Sequence, residues 1–298
     1  MAKKALRNSK WSPLTIILLV VLCVYVLSLC GLFFWAFITA FKGHSRMEFA
    51  INNYYKFPKF GWKEQFSEVF KNLTMPSKNG TGKAFGFWTI LSNTFLYAIG
   101  CAFFKTLVPC VTAYACARFN FKSSKIVHTI ILVTMIVPIV GSLPSELKIA
   151  RALGFHDSIF GLWVMSANMQ GLYFFVLYSA FKAMPMGYSE AARIDGANLF
   201  QVMIKIAVPL IKNLFLTIFL IHFVEYWNNY QVPQVYLPNH PTLGWTLFYY
   251  TMIYKTKPLD TLPKQISLAI IIVTPILLLF LIFQKKLMGN LTLGGLKG

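Results

Sequence analysis

Residues 190–210, EAARIDGANLFQVMIKIAVPL, form most of a connector loop, residues 185–210, that separates two long apolar segments. The stretch predicts two short helices. Ser189 is placed to N-cap the first helix, where the glutamate that follows interacts favourably with the helix dipole. Gly196 is expected to end that helix in the left-handed conformation, which glycine adopts without strain. Asn198 and Gln201 have the spacing of a capping box at the start of the second helix.

The spacing of identities in the connector loop resembles the EAA loop of the membrane subunits of binding-protein-dependent ABC importers. The matching residues are Glu190, Ala191, Ala192, Gly196, Ile206 and Pro209, whereas Val208 stands where leucine is usual. In that family the first helix lies along the membrane surface and docks into a groove on the ATPase subunit. The resemblance implies that the alanines permit close approach and that Arg193 and Asp195 flank the contact, unless these two only form a solvated face. A plain two-helix connector is the competing interpretation of the whole stretch.

The composition is that of a membrane protein with several spans. The chain is 57% hydrophobic and 12% charged, with a mean hydropathy of +0.60, whereas soluble domains carry about 25% charged residues. The formal net charge is +19, but the lysines lie in short loops between apolar runs, which favours membrane-flanking anchors over nucleic-acid binding. The same basic loops suit an anionic substrate. The five cysteines lie inside apolar runs without a CxxC spacing, so we expect neither a disulfide framework nor a metal site.

Six apolar segments predict an all-α membrane protein with six transmembrane helices, at residues 14–41, 88–118, 126–143, 159–181, 210–230 and 266–283. The first segment is too long for the apolar core of a signal peptide, which has about 7–15 residues. The predicted domains are an N-terminal segment 1–13, an outer span 14–41, an aromatic-rich extracytoplasmic insert 42–87 that forms a small packed cap, a permease core 88–283, and a C-terminal tail 284–298.

Basic residues predict the orientation of these spans. Arg118, Lys122 and Lys125 occupy the short connection after the second span, and the N-terminus is also basic, which places both on the cytoplasmic side. The external segments hold nearly as many basic residues, so the family resemblance, which requires a cytoplasmic EAA loop, decides the orientation. We therefore expect a multi-pass protein of the bacterial cytoplasmic membrane with both termini in the cytoplasm.

Ionisable residues inside predicted spans mark candidate functional sites, because they are costly in a bilayer. Lys105 lies near the middle of the second span and Glu225 in the outer half of the fifth. Three interpretations of Lys105 stay open: its side chain reaches toward an interface, it pairs with Glu225 as a structural bridge, or it faces the translocation cavity and attracts an acidic group of the substrate.

Sugar passage requires aromatic faces for the rings and amides or hydroxyls for the sugar hydroxyl groups. The fourth span offers Asn168 and Tyr173, and the fifth ends in Trp227 and Asn228. Asn168, Gln170 and Tyr173 do not share one helical face, so only a subset lines a path. Aromatic residues at span ends are also typical of the interfacial belt, which is the competing interpretation. The substrate-path candidates are Lys105, Asn168, Tyr173, Glu225, Trp227 and Asn228.

Nucleotide and metal motifs are missing from the sequence. It contains neither GxxxxGK[ST], nor GxGxxG after a strand, nor HExxH. The chain is therefore not expected to be an enzyme or to bind a cofactor or metal itself, and ATP and Mg²⁺ belong on partner subunits.

The resemblance extends from about residue 88 to residue 298 and is to the maltose-permease-G-like branch of carbohydrate importers. It includes Tyr236–Gly244 in the last external loop and the tail 289–298, which in such permeases reaches between the ATPases and is otherwise a frayed terminus. It implies a type I ABC importer permease (MetI-like) core with a cytoplasmic EAA coupling helix. The implied partners are a second homologous permease, an ATPase homodimer, an extracellular solute-binding protein and the lipid bilayer, with no nucleic acid.

The predicted function is to form half of the pathway for an oligosaccharide, with an acidic saccharide as a sub-hypothesis, and to couple to the ATPase through the EAA loop. Two alternatives remain. One is an ABC permease for a non-sugar solute such as a phosphodiester. The other is an ion-coupled secondary transporter, which would normally show inverted repeats with broken helices that the sequence does not display.

Overall fold

The computed structural model describes residues 12–42, 62–77, 84–119, 122–137, 141–169, 171–253 and 261–291. The chain divides into two compact units, Met1–Asn72 with Lys255–Ile271 and Leu73–Tyr254 with Ile272–Gly298. Gln170, the tail 292–298 and most of the predicted insert lie outside the described residues.

The first unit is built around one long apolar helix, α1 (Pro13–Ala40), which begins with a proline after the N-cap Ser12. Its side chains are exposed from residue 13 to residue 34, and a helix that is apolar on all sides is typical of a membrane span. Helix α2 (Trp62–Asn72) and residues 262–271 of the last helix complete the unit. Within it, the Lys264 ammonium lies 2.8 Å from a Glu68 carboxylate oxygen.

The second unit is helical apart from a short antiparallel hairpin. The hairpin strands are β1 (Met75–Pro76) and β2 (Ala84–Phe85). The helices up to the connector loop are α3 (Phe87–Arg118), α4 (Lys122–Ile136), α5 (Leu143–Ala152), α6 (Ile159–Ser166) and α7 (Leu172–Lys182). The connector loop holds α8 (Gly187–Ile194), α9 (Leu199–Val202), a π-helical turn (Met203–Ala207) and α10 (Val208–Leu210). After it come α11 (Lys212–Asn228), α12 (Gln231–Tyr236), α13 (Leu243–Phe248), a second π-helical turn (Tyr249–Ile253) and α14 (Leu262–Leu291).

Helix α3 is the central element of this unit, because α11, α7 and α6 all pack against it. It runs unbroken for 32 residues through Pro109. At Gly100 the Trp163 indole of α6 packs directly on the α3 backbone, and its Nε1 donates to the Leu96 carbonyl oxygen over 3.0 Å. A Cβ at Gly100 would lie 2.0 Å from Trp163 Nε1, so this approach requires glycine.

By helix length, the described residues contain fewer membrane spans than the six that the sequence predicts. Among the described residues, three helices are long and apolar enough to cross a membrane: Pro13–Ala40, Phe87–Arg118 and Leu262–Gln284. A fourth is added when Leu199–Leu210 and Lys212–Asn228, which meet at an angle of 78°, count as one bent span. The apolar helix at the predicted third span is Ser123–Ile136, and the predicted fourth span holds the eight-residue α6 and the apolar helix Leu172–Lys182, all of them shorter than a span.

The predicted fourth span is broken between α6 and α7, so the expectation of unbroken helices is wrong here. Helix α6 ends at Ser166 and α7 begins at Leu172. Gly171 has a φ of 119°, a region that other residues avoid. Asn168 lies in the same break, and its short polar side chain competes with helical hydrogen bonding. A hydropathy profile averages side-chain polarity over such a segment and carries no information on its backbone conformation.

Candidate functional site

Helix α8, the first helix of the connector loop, begins earlier than predicted. Met186 occupies the N-cap position without a side-chain cap, and Ser189 lies one turn inside the helix, so the predicted N-cap at Ser189 is wrong. Pro185 lies just before that N-cap, outside the helix. Glu190 remains in the first turn, where its exposed carboxylate interacts favourably with the helix dipole.

Helix α8 ends at a left-handed Gly196, as the sequence predicts, and the hydrogen bonds at this end form a Schellman motif. Gly196 has a φ of 81°. Its N–H donates to the Arg193 carbonyl oxygen over 3.1 Å, and the Ala197 N–H donates to the Ala192 carbonyl oxygen over 2.9 Å. These two bonds satisfy carbonyls that a helix end otherwise leaves unpaired. The chain therefore reverses at a fixed point rather than through a loose turn.

The second helical part of the connector loop begins with the predicted capping box. The Asn198 side-chain oxygen accepts from the Gln201 N–H, and the Gln201 side-chain oxygen accepts from the Asn198 N–H, both over 2.8 Å. The helix then widens into the π-helical turn, where Ile206 is half-buried. The exposed Pro209 accounts for this widening, because its ring would clash with the carbonyl four residues earlier in an α-helix.

The outer surface of α8 and α9 carries exposed apolar side chains. Tyr188, Ala191 and Ile194 follow one another at three-residue spacing on α8, and Ile194 is 86% exposed. Phe200 on α9 is 65% exposed. We call these four residues the docking face. Arg193 and Asp195 are exposed beside it, whereas Ala192, next to Ala191 in the chain, is buried. An exposed apolar patch with a charged rim is typical of a protein interaction site.

Arg118 at the end of α3 clamps the chain just before α8. Its Nη2 donates to the Met184 carbonyl oxygen over 2.9 Å, and its Nη1 donates to the Met186 sulfur. Arg118 also lines a cleft of about 100 Å³ together with Glu190 and Arg193. From the sequence, Arg118 indicated only the orientation of the spans. Its position at the end of a span, four residues after Tyr114, was the only hint of this contact.

The inner side of the connector loop belongs to the core of the second unit. Met203 and Ala207 of the loop, together with Ile211 directly after it, are buried in one apolar cluster with residues of α3, α4, α7 and α11. The members from those helices are Cys110, Ala113, Tyr114, Cys116, Ile131, Phe174, Leu177, Phe181 and Ile218. Closely packed side chains transmit displacement, so the connector loop and the helices above it are mechanically joined.

A polar cluster lies deeper in the same unit, formed by Lys105, Thr106, Asn168, Tyr173 and His222. Lys105 Nζ donates to Asn168 Oδ1 over 2.9 Å. The Tyr173 and His222 rings meet edge to face with centroids 4.9 Å apart. The cluster therefore joins α3, the break before α7, α7 itself and α11.

The tautomer of His222 follows from its bond to Thr106. The Thr106 hydroxyl donates its single proton to the Ala102 carbonyl oxygen over 2.8 Å. Its oxygen lies 3.0 Å from His222 Nδ1, so Nδ1–H is the donor in that pair. A neutral His222 then presents Nε2 as an acceptor. Thr106 and His222 were not among the sequence candidates, because their pairing joins residues 116 apart in the chain.

The proposed bridge between Lys105 and Glu225 is not formed. No ion pair joins their side chains within the part of the chain that the structure describes, and Lys105 bonds to the neutral amide of Asn168 instead. Glu225 is exposed, one turn after His222 on α11. The sequence alone could not show that Lys105 bonds to the neutral amide of Asn168 rather than to the carboxylate of Glu225.

The remaining substrate-path candidates lie apart from the cluster. Trp227 is 0% exposed, and its Nε1 donates to the Ile272 carbonyl oxygen over 3.0 Å. Its ring packs on Phe95 with centroids 4.8 Å apart. Trp227 is therefore a core residue rather than a path-lining one. Asn228 is exposed and donates its amide to the Val224 carbonyl oxygen of its own helix.

The loops at the opposite end of the unit from the connector loop are tied together by Asp157. This residue has a φ of 60°, unusual outside glycine. Its carboxylate accepts from the backbone N–H and the side-chain amide of Asn239, over 2.9 and 2.6 Å. The buried Tyr236 hydroxyl lies 3.4 Å from Glu146, and burial raises the pKa of this phenol, with the Glu146 carboxylate adding to the effect.

The long helices, the capped connector loop and the mid-span polar cluster define a helical membrane permease. Residues 105–288, more than half of the chain, match the family of binding-protein-dependent transport system inner membrane components, and the chain belongs to that family. It is therefore a transport permease rather than an enzyme, with ATP hydrolysis performed by a separate ATPase. This membership contradicts the alternative of an ion-coupled secondary transporter.

Curated relatives include several permeases of sugar importers, which confirms the resemblance to the carbohydrate branch. The sulfoquinovosyl glycerol transport system permease SmoH of Agrobacterium fabrum is 29% identical over 70% of this chain and 73% of its own length. The arabinooligosaccharide permease AraQ of Bacillus subtilis is 25% identical over 66% of this chain and 67% of its own length. A crystal structure of a bacterial ABC transporter involved in alginate import contains a chain of the same fold, with a TM-score of 0.74 at 21% identity, covering 93% of this chain and 99% of that one.

Proposed function

We propose that this chain is the transmembrane subunit of an ATP-driven oligosaccharide importer and that it couples to its ATPase through the connector loop. The names of the relatives support the substrate class. The geometry of the connector loop carries the coupling proposal: its turns are fixed by the Schellman motif and the capping box. Its inner side is buried in the core, while its docking face is exposed.

The remaining parts of the importer follow from the family. A second homologous permease completes the pathway, an ATPase homodimer binds ATP and Mg²⁺ beneath it, and an extracellular solute-binding protein delivers the saccharide. The proposed topology has six spans, formed by α1, α3, α4, the broken pair of α6 and α7, α11 and α14, with both termini and the connector loop in the cytoplasm. The insert 42–87 then lies outside and the tail 284–298 inside.

Coupling requires a stiff link between the ATPase subunits and the translocation pathway. Closure of two ATPase subunits moves the docking faces, and a rigid element passes that movement to the spans as a body. A loose loop would absorb the movement instead. In this chain the exposed docking face and the buried residues of the same loop belong to one capped, two-helix segment.

The docking face provides the test. Ile194 and Leu153 are both exposed apolar residues, 86% and 60% exposed, and Leu153 lies at the end of α5, away from the connector loop. Ile194→Asp is expected to abolish co-purification of the ATPase from native membranes, and Leu153→Asp to leave it intact. Oligosaccharide uptake is expected to be blocked by vanadate. Equal ATPase recovery in both variants, or uptake that ignores vanadate and collapses with an ionophore, would overturn the proposal.

The solute class has a second candidate. The sn-glycerol-3-phosphate permease UgpE of Shigella flexneri is 27% identical over 56% of this chain. A phosphate ester and an acidic sugar share an anionic group, which the cation Lys105 suits equally. A ligand screen on the cognate binding protein separates the two, since only a saccharide importer retains an oligosaccharide.

A further inference from the structure

Lys105 lies deep in the longest helix of the second unit. It follows Phe87 by 18 residues and precedes Arg118 by 13, which places it about 27 Å and 20 Å from the two ends at ~1.5 Å per residue. The hydrocarbon core of a bilayer is about 30 Å thick. Its amine is also engaged with Asn168, so the side chain does not reach out to an interface.

The hydrogen bonding of Lys105 is incomplete. A lysine ammonium has three donors, and one of them is used by Asn168 Oδ1. Among the described residues no carboxylate lies within ion-pair distance of it. Asn168 orients the charge without neutralising it. A cation that forms no ion pair with any described residue is costly at this depth, and such groups mark substrate or ion pathways in membrane proteins.

The backbone beside Lys105 is irregular at the same depth. Residues 167–169, which include Asn168, and Gly171 lie between α6 and α7 and are not helical. Non-helical backbone inside a membrane is tolerated where it is buried in protein or lines a cavity, and Asn168 is only half-buried. The break thus lies directly beside the lysine, whose amine bonds to Asn168.

The other members of the polar cluster are neutral. His222 presents Nε2 as an acceptor because Nδ1–H is used by Thr106. Tyr173 is half-buried beside it. Acceptors and aromatic edges suit sugar hydroxyls and rings. Charge at Lys105 and neutral polar groups around it match a ligand that is a sugar with an anionic substituent.

We propose that Lys105, oriented by Asn168, binds the anionic substituent of a saccharide in the translocation pathway and so selects acidic over neutral oligosaccharides. This inference rests on the proposed function. The shared chemistry is a carboxylate or sulfonate on a sugar ring. Glu225, one turn beyond His222, repels the same anion and does not contribute to its binding.

The test compares uptake of an acidic and a neutral oligosaccharide of equal length. The complete importer with its binding protein is reconstituted in proteoliposomes, and uptake of a trigalacturonate, a sulfonated sugar glycoside and maltotriose is measured as kcat/KM. Lys105→Gln is expected to lower the acid-to-neutral ratio by about tenfold to a hundredfold, as for loss of a charged hydrogen bond. Lys105→Arg and Asn168→Ala are expected to give smaller losses.

Two controls separate charge selection from general effects. Lys125→Gln removes the same charge from an exposed position on α4 and is expected to leave the ratio unchanged. Glu225→Gln is expected to leave it unchanged or raise it. The sulfonated probe distinguishes a site for carboxylates from a site for sulfonates. Equal losses of uptake for both acids in Lys105→Gln indicate a general anion site.

The outcomes that overturn the inference are distinct from those that overturn the function. If wild-type importer takes up oligosaccharides with ATP and Lys105→Gln leaves the ratio unchanged, the inference fails and the proposed function stands. If Glu225→Gln reproduces the loss of Lys105→Gln, the two residues act as a structural pair and the inference also fails. If the wild-type importer transports no oligosaccharide, both fall. If the importer with Lys105→Gln does not assemble, the acid-to-neutral uptake ratios of Lys105→Arg and Asn168→Ala provide the test.

Discussion

Gly196→Ala tests whether the connector loop must hold its turn. The residue has a φ of 81°, and an added Cβ would meet no atom within 4 Å. The cost is therefore backbone strain alone, about 1–2 kcal/mol for an L-residue in the left-handed region. Such a cost lowers the ratio of molecules with the native turn to molecules with a relaxed turn by about fivefold to thirtyfold. The Schellman bonds of Ala197 and Gly196 are the contacts that relax first.

Gly187→Ala is the matched control for this change. Gly187 also has open space at its Cβ position, but its φ is ordinary and it opens α8. Alanine is a better helix former than glycine by up to about 1 kcal/mol, so this variant is expected to be neutral or slightly stabilised.

The assay is co-purification of the ATPase with each variant, together with transport per ATP hydrolysed. We expect Gly196→Ala to lose both by several-fold and Gly187→Ala to retain them. Equal behaviour of the two variants would show that the turn conformation does not matter, and would refute the stiff-link argument.

Three further changes probe the same framework. Arg118→Gln removes the charged hydrogen bond to the carbonyl before α8, worth about 1.5–3 kcal/mol, and is expected to reduce transport per ATP while the ATPase still co-purifies; transport at the wild-type level would contradict the clamp. Gly100→Ala forces the Trp163 indole off α3 and is expected to destabilise the protein by about 1–3 kcal/mol, seen as a lower melting temperature in detergent, whereas Gly31→Ala, with open space around it, should not. Asn198→Ala removes the capping box at a cost of about 1 kcal/mol and is expected to lower binding-protein-stimulated ATPase activity; Asn198→Ser, which can still cap, should restore it.

The connector loop was predictable because its conformation is decided locally. The Schellman turn at Gly196 and the capping box of Asn198 use hydrogen bonds between residues at most five apart, all visible in the sequence. The start of α8 was mispredicted, because Gly187 and Tyr188 are already helical and Ser189 supplies no cap.

The polar cluster was only partly predictable, because its partners come from distant parts of the chain. Lys105 and Asn168 are distinctive in a hydropathy profile, but their 2.9 Å hydrogen bond is set by how α3 packs against the break before α7. Trp227 shows the reverse error: an aromatic residue at a span end has the composition of a binding residue, yet packing buries it completely. Composition identifies polar and aromatic groups, and only tertiary packing decides which of them reach a pathway.

The two functional regions are connected by α3 itself. Lys105 and Arg118 stand 13 residues, about 20 Å, apart on one helix that continues through Pro109. Arg118 contacts the connector loop at Met186, so α3 is the continuous element between that loop and Lys105. Asn168, the partner of Lys105, lies instead on a non-helical segment that is not part of α3. The hydrogen bond between Lys105 and Asn168 therefore joins the helix that contacts the connector loop to a separate part of the chain, and the coupling region and the pathway candidate meet on α3.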